Sequence, residues 1–135
     1  MKQVFINLAV KDVAKSMDFY TKLGFTVNPD FSDDQSKCLI WSESIFLMIL
    51  NHDKFKTFTN KPLAETKSNI AALFALSVSS TEEMNTIVEN GLKAGGTEPM
   101  PMTDYGFMQL RKLEDFDGHT WEIFFMDASK FPGKE

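Results

Sequence analysis

The carboxylate best placed for chemistry is Glu122, in the run Trp-Glu-Ile-Phe-Phe near the C-terminus. Strand alternation puts Trp121 and Ile123 on one face and Glu122 with Phe124 on the other. We expect the Glu122 face to be apolar and without a compensating cation, which disfavours the charged form of a carboxylate. Such a group suits proton transfer or a hydrogen bond to a bound molecule. A partner hydroxyl, amide or lysine would instead make Glu122 structural.

Few other side chains offer catalytic or metal-binding chemistry. His52 follows an apolar strand at its polar end, and His119 follows a tight turn, where we expect it to tie the hairpin. The single cysteine, Cys38, lies in a strand-like run, which favours a packed thiol over a nucleophile. The glycines within residues 91–96 follow a predicted helix, so they indicate a helix end and not a dinucleotide-binding loop.

Composition limits the class of protein. The 135 residues, 43% hydrophobic and 24% charged, fit one compact domain spanning 1–135. A net charge of −5 with a single arginine, Arg111, argues against nucleic-acid binding, because an acidic surface repels phosphates. No stretch is long enough to span a bilayer, and the N-terminus shows no signal-peptide pattern. With the single cysteine, this predicts a cytoplasmic protein without a membrane partner.

The elements that must position these residues begin with an alternating strand over residues 4–10. Its aliphatic positions fall on one face, and Phe5 and Asn7 fall on the other. Asp12 is a plausible N-cap for a helix that ends at Gly24, with its apolar face expected at Val13, Met17, Tyr20 and Leu23 and a shoulder at Ser16 and Phe19. Three further strands are predicted over residues 25–29, 37–43 and 44–50.

The second half of the chain repeats this order. Residues 71–78 match residues 4–10 at an offset of 68. A helix capped by Ser80 or Thr81 follows, and strands are predicted near 97–100, 106–112 and 120–126, with a tight Asp117-Gly118 turn between the last two. The chain is therefore predicted to be α+β, with two tandem βαβββ modules over about 3–50 and 71–127, joined by a linker over 51–70 that contains a helical turn or two.

Three sequence motifs resemble the vicinal oxygen chelate superfamily of glyoxalases, bleomycin-resistance proteins and extradiol dioxygenases, in particular its bleomycin-resistance-like branch. They are the run Leu-Ala-Val-Lys-Asp…Leu-Gly-Phe at 8–25, the strand pair at 104–119 and the closing hairpin at 114–127, with its Asp-Phe-Asp-Gly-His turn. The resemblance covers about residues 3–127. It implies two sheets curved around a shared bowl, a fold that hosts several unrelated functions.

In this superfamily the bowl commonly holds one divalent metal, with ligands from the first and last strands of each module. The resemblance carries these positions to Phe5, Met48, Leu73 and Glu122. Only Glu122 has a suitable ligand atom, because phenyl and isobutyl groups bind no metal and a thioether suits hard ions poorly. We therefore expect neither a metal nor another cofactor. A shifted site built from His52, Glu122 and a third group is the alternative.

The leading hypothesis is a metal-free protein that binds a small amphipathic or aromatic molecule in the bowl. An acidic bowl residue would favour a cationic or hydrogen-bond-donating ligand. The predicted walls are apolar, and Glu122, Asn7 and Tyr105 supply polar contacts, with Glu122 also the candidate catalytic residue. The predicted ligand-binding residues are Phe5, Asn7, Trp41, Met48, Leu73, Tyr105, Glu122 and Phe124.

Two other functions stay open. One is a metal-dependent glyoxalase-type lyase, isomerase or dioxygenase with an atypical ligand set, and the other is a stress-related oligomer without a ligand. We also expect a homodimer, because the resemblance implies bowls shared between chains and because exposed sheet edges favour pairing. Phe131 and Pro132 are candidates for packing across that interface.

Overall fold

The computed structural model describes residues 1–130, and the expected interface residues Phe131 and Pro132 lie outside that range. The chain divides into two compact units between Asn69 and Ile70, at the end of the predicted linker. Each unit is a βαβββ module, so the predicted α+β duplication is confirmed. The elements are β1 (Val4–Ala9), α1 (Val13–Leu23), β2 (Thr26–Asn28), β3 (Ser36–Ile40), β4 (Ile45–Leu50), α2 (His52–Lys56), β5 (Leu73–Val78), α3 (Thr81–Lys93), β6 (Thr103–Asp104), β7 (Met108–Glu114) and β8 (Thr120–Met126).

The first module is a four-stranded sheet in the order β1-β4-β3-β2, with α1 against one face. β1 and β4 are parallel, and the other pairs are antiparallel. Alternate residues of each strand point to α1, and the aliphatic side chains at the centre of that face are buried, with Leu39, Leu47 and Ile49 fully enclosed, whereas Val4 at the start of β1 is half-exposed. The opposite face is termed helix-free because no long helix of this module packs on it, although Cys38 and Leu50 are buried there.

Helix α1 begins and ends where its sequence predicts. The Asp12 carboxylate accepts a hydrogen bond from the Lys15 amide at 3.0 Å, and Gly24 ends the helix with a φ of 124°, a conformation that favours glycine. The buried face differs from the prediction at one turn. Phe19 is fully buried, whereas Met17 is only half-buried. The core stripe therefore passes through Ser16 and Phe19, which the sequence analysis had treated as its shoulder.

The second module repeats the arrangement in the order β5-β8-β7-β6, with α3 against one face. Met84 and Val88 of α3 pack over a buried strand face that includes Trp121 and Ile123. Ser80 caps α3 by accepting from the Glu83 amide at 3.1 Å. The two caps, Asp12 and Ser80, are separated by the predicted offset of 68, so the duplication extends to the helix starts.

The structure changes one predicted segment, the strand near 97–100, and gives the bounds of another, the helical turn in the linker. The strand expected near 97–100 is a single bridge between Thr97 and Glu114, and the paired strand is β6, several residues later. Pro99 and Pro101 explain the shift, because proline has no amide hydrogen for a strand ladder. The helical turn predicted in the linker is α2. Within residues 1–130, no helix is both long and apolar enough to cross a membrane.

Candidate functional site

The helix-free face of the second sheet carries the candidate site. Strand alternation and register put on this face the residues that do not point to α3. They form cross-strand rows, and the central row is Ala75, Glu122 and Lys112, on β5, β8 and β7. Glu122 and Phe124 share this face, as predicted from sequence, while Trp121 and Ile123 are buried on the other.

Glu122 forms an ion pair with Lys112, its direct cross-strand neighbour. Both side chains are largely removed from water, with 15% of Glu122 and 16% of Lys112 exposed. The expectation that no cation offsets the charge of Glu122 is therefore wrong, and the lysine-paired alternative is confirmed. The row is electrically neutral, although each of its charged groups is poorly hydrated.

The register explains why sequence analysis missed Lys112. A two-residue turn at Asp117 and Gly118 would have placed Leu113 opposite Glu122. The observed turn spans residues 115–119, with Glu114 paired to Thr120, so the register moves by one residue. A one-residue shift exchanges the facing side chains, and a lysine takes the place of the leucine.

Asp115 holds that longer turn. Its buried carboxylate accepts from the amides of Asp117 and His119, each at 2.9 Å. The Asp115 amide in turn donates to the His119 carbonyl at 3.1 Å. Asp115 lies outside the sequence predictions, which assign the tie of this hairpin to His119, although the Asp-x-Asp-Gly pattern is the signal for such a side-chain-capped turn.

The ion pair keeps unused hydrogen-bonding capacity. An ammonium has three donors and a carboxylate has two acceptor oxygens. Within residues 1–130, the one side-chain hydrogen bond that either group makes is donated by Lys112 Nζ to Glu122 Oε2. Two Lys112 N–H groups and Glu122 Oε1 therefore remain for a bound molecule or for water.

The rows beside the ion pair differ in polarity. On one side lie Phe124 and Leu110, followed by Met126 and Met108 at the ends of their strands. All four are partly exposed. On the other side lie Thr120 and Glu114. Along β7 and β8, the helix-free face thus runs from a polar pair through the ion pair to an apolar surface. On β5, Leu73 lies beside Thr120 and the exposed Ser77 lies beside Phe124.

The helix-free face of the first sheet carries no charged side chain at the corresponding place. Its equivalent row is Asn7, Met48 and Cys38, which matches Ala75, Glu122 and Lys112 by strand and register. Phe5 stacks on Phe46 with ring centroids 4.4 Å apart. The Asn7 side-chain Nδ2 donates a hydrogen bond to the Phe5 backbone carbonyl at 3.2 Å. Burial raises the pKa of the Cys38 thiol, as expected for a packed cysteine.

The structure places the remaining predicted residues at different points. Leu73 is half-exposed on the helix-free face of the second sheet. Tyr105 lies in the turn between β6 and β7, exposed, with its ring 6.3 Å from that of Phe107. The Trp41 ring packs on that of buried Phe25, with 4.9 Å between the centroids, a contact that favours a core position. The expectation that the two helix-free faces line one bowl stays a prediction.

The residues at the inferred metal positions do not fit a divalent cation. Phe5, Met48 and Leu73 provide no suitable ligand atom, and the Glu122 carboxylate is engaged by an ammonium group. Among residues 1–130, no three His, Cys, Asp or Glu side chains are grouped so that they could hold a metal ion.

Known proteins share the fold and the sequence pattern. The trivalent organoarsenical cleaving enzyme of Bacillus sp. (strain MD1) is 28% identical over 129 residues, which cover 93% of this chain and 73% of the relative. A glyoxalase-related enzyme from Fulvimarina pelagi superposes with a TM-score of 0.78 at 22% identity, covering 93% of this chain and 88% of that chain. The fosfomycin resistance protein FosX from Listeria monocytogenes gives 0.69 at 19% identity, with 96% and 97% covered. A family model also matches residues 2–123, and the chain belongs to the glyoxalase/bleomycin resistance protein/dioxygenase superfamily.

Proposed function

We propose that this protein binds a small amphipathic or aromatic molecule on the helix-free face of its second sheet, without a metal ion. The observation that carries the proposal is the Lys112–Glu122 pair, which is poorly hydrated and still has free donors and a free acceptor. A bound molecule would fill that capacity with its polar group. Its apolar part would lie over Phe124 and Leu110 in the next row.

A purely structural role explains the pair less well. Removing two charges from water costs about as much as their attraction returns, unless further hydrogen bonds complete the site. Arg111 shows what a completed site looks like in the same strand. Its guanidinium donates to Glu98, Glu89 and Asn85 on the α3 side of the sheet. Within residues 1–130, Lys112 and Glu122 share a single side-chain hydrogen bond, and a ligand would supply further ones.

The apolar rows can provide the binding energy. Burial of apolar surface contributes roughly 25 cal/mol per Å², so covering about 100 Å² of the Phe124 and Leu110 surface contributes roughly 2.5 kcal/mol. Met108 and Met126 extend this surface with flexible thioether side chains, which adapt to ligands of different shape. The polar pair then orients the molecule, while the aromatic and methionine rows retain it.

An enzymatic role is the second candidate, and the Bacillus relative favours it, since its name describes cleavage of trivalent organoarsenicals. Glu122 would then be the proton acceptor, because it holds a free carboxylate oxygen beside a donor. Arsenic itself has less support from this chain. Trivalent arsenic is a soft centre that favours thiolates, and the single cysteine, Cys38, is buried with a raised pKa.

The proposal includes two further features of the protein's setting. A second copy of the chain is its expected protein partner, since β1 and β5 are sheet edges with half-exposed Phe5 and Leu73. A cytoplasmic setting fits a chain whose only cysteine is unpaired and buried. On the first sheet, Phe5, Asn7 and Met48 remain proposed ligand contacts.

The test is a fragment titration followed by amide NMR. Small aromatic alcohols and amides should shift the resonances of residues 110–112 and 120–126. Lys112→Met and Phe124→Ala should weaken that response, whereas Lys22→Met, on the exposed surface of α1, should leave it unchanged. An absence of shifts up to the solubility limit, or shifts confined to other surfaces, would overturn the proposal. Near-stoichiometric zinc, nickel, manganese or iron in protein purified without chelator would favour the enzyme instead.

A further inference from the structure

We infer that the ligand of the second module is electrically neutral and presents a hydrogen-bond acceptor and a donor on adjacent atoms, as the C=O and N–H of a lactam or cyclic ureide do. This inference rests on the proposed function, since it names the class of molecule that the Lys112–Glu122 pair recognises. The sequence predicts a preference for cations because Glu122 carries a negative charge. That reason no longer holds, since Lys112 neutralises this charge.

Charge balance leads to the neutral class. A lone Glu122 would attract a cation, and a lone Lys112 would attract an anion. Together they carry no net charge, and with about one-sixth of each side chain exposed they have little water to screen an added charge. A charged ligand would leave one of three charges without a partner, which is costly at a desolvated site. A neutral ligand leaves the pair intact.

The free atoms of the pair define the polar edge of the ligand. Lys112 retains donors and Glu122 retains Oε1, and the two groups are joined by a hydrogen bond. A free donor and a free acceptor therefore lie side by side. A molecule that satisfies both must offer an acceptor next to a donor, in the same order as a cis amide. Carboxylic acids have that edge only when protonated, and they are ionised at neutral pH.

The neighbouring positions favour a flat ring at this place. Ala75 is the β5 neighbour of Glu122, and its methyl group is exposed, so no long side chain stands directly opposite the carboxylate on the β5 side. Phe124 and Leu110 form the adjacent apolar row. A lactam fused to an aromatic ring could direct its polar edge to the ion pair and lay its hydrocarbon face along that row.

The experiment compares four fragments on one bicyclic skeleton. Dihydroquinolinone carries the lactam edge, its N-methyl derivative lacks the donor, tetralin carboxylate is an anion and aminotetralin is a cation. Each is titrated into the full-length protein, with amide NMR shifts of residues 110–112 and 120–126 giving the Kd. We expect the lactam to bind at least about tenfold more tightly than the other three, because methylation leaves Glu122 Oε1 without its donor.

Charge-switching variants then test the cause. Glu122→Gln leaves the lysine charge, so it should move the preference to the carboxylate, and Lys112→Met should move it to the ammonium fragment. Asp18→Asn and Lys22→Met change an exposed ion pair on α1 by the same charges and should leave the ranking unchanged.

The outcomes separate this inference from the function on which it rests. Tighter binding of the carboxylate or of the ammonium fragment by the unaltered protein would overturn the neutral class while leaving a small-molecule site. Equal binding of the lactam and its N-methyl derivative would overturn the donor–acceptor edge. If no fragment shifts the resonances of either strand, the proposed function itself fails.

Discussion

The Lys112–Glu122 pair should show strong coupling in a double-mutant cycle. The variants are Lys112→Met, Glu122→Gln and the two changes combined. Each single change leaves a poorly hydrated group without its charged partner, whereas the double change removes both charges together. Replacing both members of a buried pair is commonly close to neutral, while removing one member is costly.

The size of the effect follows from the burial of the pair. Losing one partner of a fully buried ion pair costs about 3–5 kcal/mol, and losing a hydrogen bond to a charged group costs about 1.5–3 kcal/mol. The Lys112 and Glu122 side chains are 16% and 15% exposed, so water relieves part of that cost. We expect about 2 kcal/mol for each single change. Independent effects would then add to about 4 kcal/mol, whereas the double variant should lie within about 1 kcal/mol of the unaltered protein.

Urea unfolding provides the assay. Trp121 is buried next to Glu122 in β8, and a Trp41→Phe background leaves it as the only tryptophan, so its fluorescence reports on the second module. The exposed Asp18–Lys22 pair gives the control cycle, with an expected coupling of roughly 0.5 kcal/mol or less. If Glu122→Gln costs less than about 0.5 kcal/mol, or if the two single costs simply add, the ion pair is not formed in solution and the reasoning is refuted.

Four further outcomes are expected. Asp115→Ala should lower the free energy of unfolding by about 2–3 kcal/mol in urea melts, because two turn amides lose their acceptor; an unchanged midpoint would contradict this. EDTA should leave the melting temperature unchanged, since the residues present do not fit a divalent cation; a fall of several degrees, reversed by one ion, would show a metal site. The Arg111 guanidinium lowers the pKa of Glu98 below its ordinary 4.5. This pair therefore stabilises the fold above pH 4.5, and its contribution is lost as the pH falls through the lowered pKa. Glu98→Gln should flatten that part of the curve of unfolding free energy against pH, and an unchanged curve would count against the pair. Light scattering should give a dimer at high micromolar concentration, and a mass near 15.3 kDa would refute it.

Local signals account for most of what the sequence predicts correctly. Helix starts at Asp12 and Ser80 depend on side chains a few residues from the amides they cap. The division of β8 into a buried and a helix-free face depends only on alternation. For Trp41 the sequence leaves core and pocket wall equally open, because a tryptophan at the end of a strand gives no sign of which side it covers. Its contact with Phe25, the residue before β2, depends on how β2 pairs with β3.

The ion pair lies beyond such local reasoning because it depends on a turn. The sequence identifies Glu122 as the central polar residue, but its partner, Lys112, lies ten positions earlier in the chain. Whether Leu113 or Lys112 faces Glu122 depends on the number of residues that Asp115 holds in the turn. An apolar environment and a lysine-paired environment therefore differ by one residue of register, although the strand pattern is the same in both cases.

The duplication makes the same point at the level of the whole module. The row of Asn7, Met48 and Cys38 in the first sheet and the row of Ala75, Glu122 and Lys112 in the second occupy matching ladder positions. The backbone pattern is preserved while the side chains have exchanged character, from an amide beside soft apolar groups to a methyl group beside an ion pair. The charged side chains are therefore concentrated in the second module, where small Ala75 lies beside Glu122, and we place the proposed polar contacts there. The family's metal-ligand position predicts where Glu122 lies in the strand. The chemistry of Glu122 depends on Lys112, the residue that the register places opposite it.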